Sequence, residues 1–166
     1  MGRERFAKIY EFKPMREYFR PPFIPPFWLV GAVLAMLALD HIESAARVIP
    51  QDLSWVGWFL IGGGLTVAIY VDLIFTRRGT AIMPFGEASV LVTDGPFRYS
   101  RNPIYCGMVA ALIGFGLILG GPISLVVIPI FVLIIYICFI RAEEAILEAA
   151  FGTEYLAYKA RVRRWI

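Results

Sequence analysis

Four apolar runs, the last three of them near bilayer length, leave this chain few ways to fold. They cover residues 27–39, 53–75, 104–119 and 123–140. A spanning helix needs about 20 apolar residues. The expected architecture is therefore all-α, an integral membrane helical bundle of about four transmembrane helices. Composition agrees, at 59% apolar and 17% charged, against about 45–50% and about 25% in soluble domains. The 166 residues fit one domain and leave no room for a separate soluble one. The first run is the marginal one, because it soon meets Asp40-His41-Ile-Glu43.

The domain divides into three parts. Residues 1–26 are basic and aromatic and end in Pro-Pro-Phe-Ile-Pro-Pro, which blocks helix continuation and predicts an interfacial arm. That arm is a poor signal-peptide n-region, so no cleavable leader is expected. Residues 27–75 hold the first two spans. Residues 76–166 hold a long loop, a helical hairpin turning at Gly120-Gly121-Pro122, and an amphipathic basic helix over 154–164. The last span is expected to run on through 141–150 and to stop at Phe151-Gly152. Tyr155, Tyr158, Val162 and Trp165 are available to the membrane interface. Cys106 and Cys138 sit in or beside apolar runs and are expected to pack as small residues.

Charge sets the topology. The arm carries six Lys and Arg, the 76–101 loop four, and the part from Arg141 onward five. Fifteen of the sixteen basic residues then lie on one side if the chain crosses four times. By the positive-inside rule that side is cytoplasmic, with both termini and the long loop. The same topology puts Arg98, Arg101, Glu143 and Glu144 at one membrane face.

The third span starts near Pro103, so its N-terminus presents free N–H groups and partial positive charge beside Arg101 and Asn102. The hairpin brings Glu143 and Glu144 next to it. Such a pocket suits a zwitterionic polar molecule and opens sideways to lipid. Headgroup snorkelling or simple pairing explains the same charges more plainly.

Residues 91–107, Leu-Val-Thr-Asp-Gly-Pro-Phe-Arg-Tyr-Ser-Arg-Asn-Pro-Ile-Tyr-Cys-Gly, resemble the signature of the isoprenylcysteine carboxyl methyltransferase family, a group related to phospholipid methyltransferases. Glu143-Glu144, followed by Phe151-Gly152-Thr-Glu154-Tyr155-Leu-Ala-Tyr158-Lys-Ala-Arg161-Val162, is similar to the same family's second motif. The resemblance covers residues 80–166. It implies an S-adenosylmethionine-dependent membrane methyltransferase acting on a lipophilic small molecule or lipid. It further implies that Leu91, Val92, Phe97, Asn102, Pro103, Ile104, Tyr105 and Glu143 bind the cofactor. Arg101 and Asn102 would hold its carboxylate, and Glu143 its ribose or amine. Arg101 and Glu144 would form the catalytic pair, Glu144 orienting Arg101 or the acceptor. Asn102 stands where the family has histidine and cannot titrate. Phe97 replaces a tyrosine, and Phe139 replaces an arginine associated with substrate.

Two other readings compete: an NADPH-dependent membrane reductase of sterol-reductase type, and a non-catalytic scaffold. Neither nucleic acid nor a metal is expected as partner. The Asp40-His41-Glu43 group reads as capping or interface anchoring. Asp72, inside the second span, is expected to pair with Arg77 or Arg78. Gly62-Gly63-Gly64 reads as a helix-packing site.

Overall fold

The computed structural model describes residues 24–42, 47–79 and 90–166, and every regular element among them is helical. Helix α1 is Pro25–Ile42. Its first turn holds Pro25 and Pro26, where a missing N–H costs nothing. The proline pair expected to close the arm thus opens a helix instead. The rest of the expected arm, residues 1–23, lies outside the described residues, as do Glu43 and residues 80–89 of the long loop.

Helix α2, Ser54–Arg77, follows a 3-10 turn at Gln51–Leu53. A second 3-10 turn, Gly95–Arg98, leads to α3, Pro103–Leu119. Gly120 ends α3 in the left-handed conformation (φ 82°) that a Cβ disfavours. A short 3-10 turn, Ser124–Val126, then opens α4, Val127–Ile135. The chain passes through a π turn, Tyr136–Ile140, into α5, Arg141–Phe151. Gly152 (φ 51°) breaks the rod there, as the sequence predicts, and α6, Thr153–Arg161, turns back.

Three of these rods are long and apolar enough to cross a membrane: 25–42, 51–77 and 124–151. Helix α3 is shorter at 17 residues, or about 25 Å. It lies antiparallel against α2 by a ladder of glycines. A Cβ on Gly57 would fall 2.5 Å from the Gly114 carbonyl oxygen, and one on Gly107 would fall 2.8 Å from that of Gly64. Both helices place these glycines seven residues apart, so the same face recurs after two turns. In lipid the hydrophobic effect does not drive helices together, and close backbone contact must. The triple glycine therefore serves packing through Gly64, while Gly62 and Gly63 meet nothing within 4 Å.

The core lies instead where α1, α3 and α4 meet, around Met36, Leu112, Phe131, Ile135 and Phe139. Trp55, Phe59, Leu65, Ile69 and Leu133 are exposed on the outside. Such a surface aggregates in water and is ordinary in a bilayer. The chain is an integral membrane protein.

Three expectations need correction. The basic helix expected over 154–164 ends at Arg161, and Val162 is already extended (φ −117°, ψ 132°). Tyr155 and Tyr158 do not face the interface, since both are buried. The Tyr158 hydroxyl donates to the Phe97 carbonyl at 2.7 Å, which pins α6 inward against the 3-10 turn. Finally, Arg78 pairs with Asp94, at 2.5 Å, and among the described residues neither Arg77 nor Arg78 forms an ion pair with Asp72.

Candidate active site

The π turn sets the site. One extra residue in a helical turn rotates everything beyond it by about 100°. After it, Arg141 is exposed while Glu144 is buried and Glu143 half-buried. Both glutamates occupy the first turn of α5.

Opposite them stands the start of α3. Asn102 is the residue type that usually caps a helix with its side chain, yet it makes no cap bond. Its Nδ2 instead donates to the Arg164 carbonyl at 2.9 Å. The first-turn amides of α3 are left without a side-chain cap. Ser100 supplies the turn before them. Its hydroxyl donates to the Arg164 carbonyl (3.2 Å) and accepts from the Asn102 amide (3.0 Å). It also lies 3.3 Å from the Cys106 sulfur. With one donor hydrogen and two lone pairs, that hydroxyl is fully used.

Arg101 is the centre of the cluster. Its side chain is 9% exposed. One nitrogen donates to Glu144 at 2.9 Å, and the other to the carbonyls of Lys159 (3.0 Å) and Val162 (2.7 Å). Its own amide donates to the Arg163 carbonyl. Glu144 accepts a second guanidinium as well: Arg164 Nε and Nη2 reach its two oxygens at 2.9 and 2.8 Å. The pairing is bidentate, the strongest geometry for such a bond. Residues 162–164 thus form a strap beside the α3–α5 network, held by Ser100, Arg101, Asn102 and Glu144. The bonds to Glu144 hold the Arg164 guanidinium firmly charged, with its pKa raised above the ordinary value.

Glu143 faces the other way. The Tyr105 hydroxyl donates to it at 2.7 Å, linking α3 to α5 a second time. Two donors in this region are buried without a partner among the described residues, Arg101 Nε and the Tyr155 hydroxyl. Buried orphans of this kind mark places where a water or ligand atom completes the bonding.

Of the sequence-predicted residues, the structure joins Arg101 to Glu144 and Tyr105 to Glu143, with Asn102, Pro103 and Ile104 on the turn between. Phe97 packs edge-on against Phe75 of α2, with centroids 5.7 Å apart. Val92 is buried and Leu91 half-buried on the extended run before it. Sequence reasoning missed Ser100 and Arg164. Arg164 reads as one of several basic residues beside the membrane, and only the end of α6 at Arg161 turns it back onto Glu144.

Residues 53–154 match the phospholipid methyltransferase family. Over 141 residues the chain is 30% identical to protein-S-isoprenylcysteine O-methyltransferase B of Arabidopsis thaliana, covering 78% of this chain and 70% of that one. The A protein of the same plant matches to the same extent. The yeast protein-S-isoprenylcysteine O-methyltransferase is 41% identical over 76 residues, which is 44% of this chain and 30% of that one. No solved structure matches the chain. These matches give the reductase and scaffold readings no support. The family match runs from the turn before α2 into α6 and takes in Arg101, Asn102, Tyr105, Glu143 and Glu144, so the chain belongs to the phospholipid methyltransferase family.

Proposed function

We propose that the chain transfers a methyl group from S-adenosylmethionine to an oxygen of a lipophilic carboxylate, at the cytoplasmic face of a membrane. The observation that carries this reading is the polar network joining the start of α3 to α5, built at one end of an apolar bundle in a chain of a methyltransferase family. The relatives' names, isoprenylcysteine O-methyltransferases, favour oxygen as the acceptor atom. Orientation rests on the charge count, which puts fifteen of the sixteen basic residues on one side if the chain crosses four times.

The donor set fits the cofactor. Glu143 offers a carboxylate to a ribose diol or an amine, and Tyr105 holds it in place. The uncapped first turn of α3 offers N–H groups to a carboxylate. Arg101 and Asn102 support this from behind, because their side chains hold Glu144 and the strap. Leu91, Val92, Phe97, Pro103 and Ile104 supply the apolar walls. When bound, S-adenosylmethionine supplies a methyl already activated on a sulfonium. Transfer to a carboxylate oxygen forms one O–C bond, breaks one S–C bond and releases no proton. A titrating base is then unnecessary, which agrees with asparagine at position 102. The residues need only align the partners and exclude water.

The test is transfer of labelled methyl from S-adenosylmethionine into a native lipid extract, with the product identified. A base-labile methyl ester is expected. Label in a base-stable amine or thioether would overturn the carboxylate assignment. The Glu143→Ala protein should remain folded and lose cofactor-induced thermal stabilisation.

A further inference from the structure

Two buried polar groups in the network are incomplete. Arg101 Nε and the Tyr155 hydroxyl both lie beneath the surface without a hydrogen-bond partner among the described residues. Tyr155 is 1% exposed, and the Arg101 side chain 9%. The two belong to one neighbourhood. Arg101 reaches the Lys159 carbonyl on α6, and Tyr155 stands one turn before Lys159 on that helix. Tyr155 shares the buried face of α6 with Tyr158, their ring centres 6.2 Å apart. The same charges act on its hydroxyl. Burial first, and then the Glu144 carboxylate, push its pKa up, while the Arg101 guanidinium opposes them.

Hydrogens and lone pairs decide what fits there. Arg101 places Nη1 on two carbonyls and Nη2 on Glu144, so Nε is its one nitrogen without an acceptor among the described residues. The Tyr155 hydroxyl brings one hydrogen and two lone pairs. Glu144 accepts two N–H bonds on Oε1 and one on Oε2. A carboxylate has about four lone-pair sites, so Oε2 has room for one more donor. The formal charges balance, since Arg101 and Arg164 stand against Glu144 and Glu143. An anion there would face the Glu144 carboxylate, and a metal ion would face the Arg101 guanidinium. A neutral molecule that both accepts and donates meets neither obstacle. Burial of both groups holds it to the size of a water. Buried waters make about three hydrogen bonds, the number that Arg101 Nε, the Tyr155 hydroxyl and Glu144 Oε2 offer.

We propose that one buried water is bound inside this network, accepting from Arg101 Nε, bonded to the Tyr155 hydroxyl and donating to Glu144. The Arg101 guanidinium is then held at each of its three nitrogens, and α6 is tied to α3 and α5 at a single point. The proposal concerns the folded chain without a ligand, so it stands apart from the methyltransferase reading.

The test uses the full chain in detergent micelles, without cofactor. In protein carrying nitrogen-labelled arginine, the Arg101 Nε–H resonance is assigned by its disappearance in Arg101→Lys. It should show a nuclear Overhauser peak to a long-lived water, and a resonance without that peak would overturn the proposal. Tyr155→Phe gives an arm that needs no assignment, since it removes one hydroxyl and keeps the ring. A hydroxyl bonded to water stabilises the fold, so its loss should lower the Tm by about 2–4 °C. A dry buried hydroxyl is a penalty. A Tm that rises or stays the same would therefore overturn the proposal. If the Tm stays and only the stabilisation by S-adenosylmethionine is lost, the cofactor and not a water is the partner of Tyr155. A protein that shows the water peak and the lower Tm but transfers no methyl would sink the proposed function and leave the water site standing.

Discussion

The two ends of the bundle solve one structural problem with very different chemistry. At the α3–α4 turn, one arginine suffices. Arg47 donates to the Ile118 carbonyl at 2.7 Å, its guanidinium packs on Gly120, and the Gly120 carbonyl accepts the amides of Val48 and Ile49. The helix end is closed by this one side chain and two loop amides. At the α3–α5 end, Arg101, Arg164, Glu143, Glu144, Tyr105, Ser100 and Asn102 form a network, and two buried donors still lack partners. An end that only needed closing would not bury so much charge. The surplus is what distinguishes a site from a cap.

Glu144→Ala should break this comparison most severely. It strips the shared carboxylate from two guanidinium groups, one of them 9% exposed. Removing one member of a buried ionic network costs about 3–5 kcal/mol. Thermal unfolding in detergent should fall accordingly, and methyl transfer should be abolished. A loss no larger than that of Arg47→Ala would mean the two ends are equivalent.

Alkali probes the same end more gently. Burial pushes the Tyr158 hydroxyl up to about 12, against about 10 for a free phenol. The folded state thus prefers the neutral form. Its contribution is complete below pH about 10 and is lost as pH rises toward about 12. Tyr158→Phe should flatten that alkaline limb in a stability–pH profile. At neutral pH it should cost about 1 kcal/mol for the bond to the Phe97 carbonyl. An unchanged limb would mean that another group carries it.

The sequence made the bundle legible because lipid allows so few solutions, and apolar runs with punctuating glycines and prolines mark each helix. The expected four-crossing topology, with fifteen basic residues on one side, pointed to one polar face. The two motifs pointed to Arg101, Tyr105, Glu143 and Glu144, which the fold joins in pairs. The strap was not legible. Residues 162–164 continue the amphipathic pattern of α6, and nothing local says that the helix stops at Arg161. Their course away from the helix is set by long-range bonds from Ser100, Arg101 and Asn102, some sixty residues earlier. For the same reason Asn102, an expected helix cap, turns away from its own helix. The π turn was equally hidden, because Tyr-Ile-Cys-Phe-Ile fits an ordinary helix just as well.

Arg47→Ala should cost about 1–2 kcal/mol, the worth of a charged hydrogen bond at a partly exposed helix end. Acceptor and cofactor affinities should stay at wild-type values. A change in KM larger than twofold would show that the two ends communicate and that the far turn is more than a clasp.

The smallest effect belongs to a pair at the polar end. Lys159 and Glu148 lie 3.0 Å apart between α6 and α5, but their side chains are 36% and 42% exposed. Solvent screens such pairs, and they contribute about 0–1 kcal/mol. Lys159→Met keeps the apolar stem and removes the charge. It should shift stability by no more than about 0.5 kcal/mol and leave methyl transfer intact. Its backbone carbonyl, which does hold Arg101, is untouched by the substitution. If Lys159→Met nonetheless abolished methyl transfer, this pair would belong to the site and not to the exposed surface.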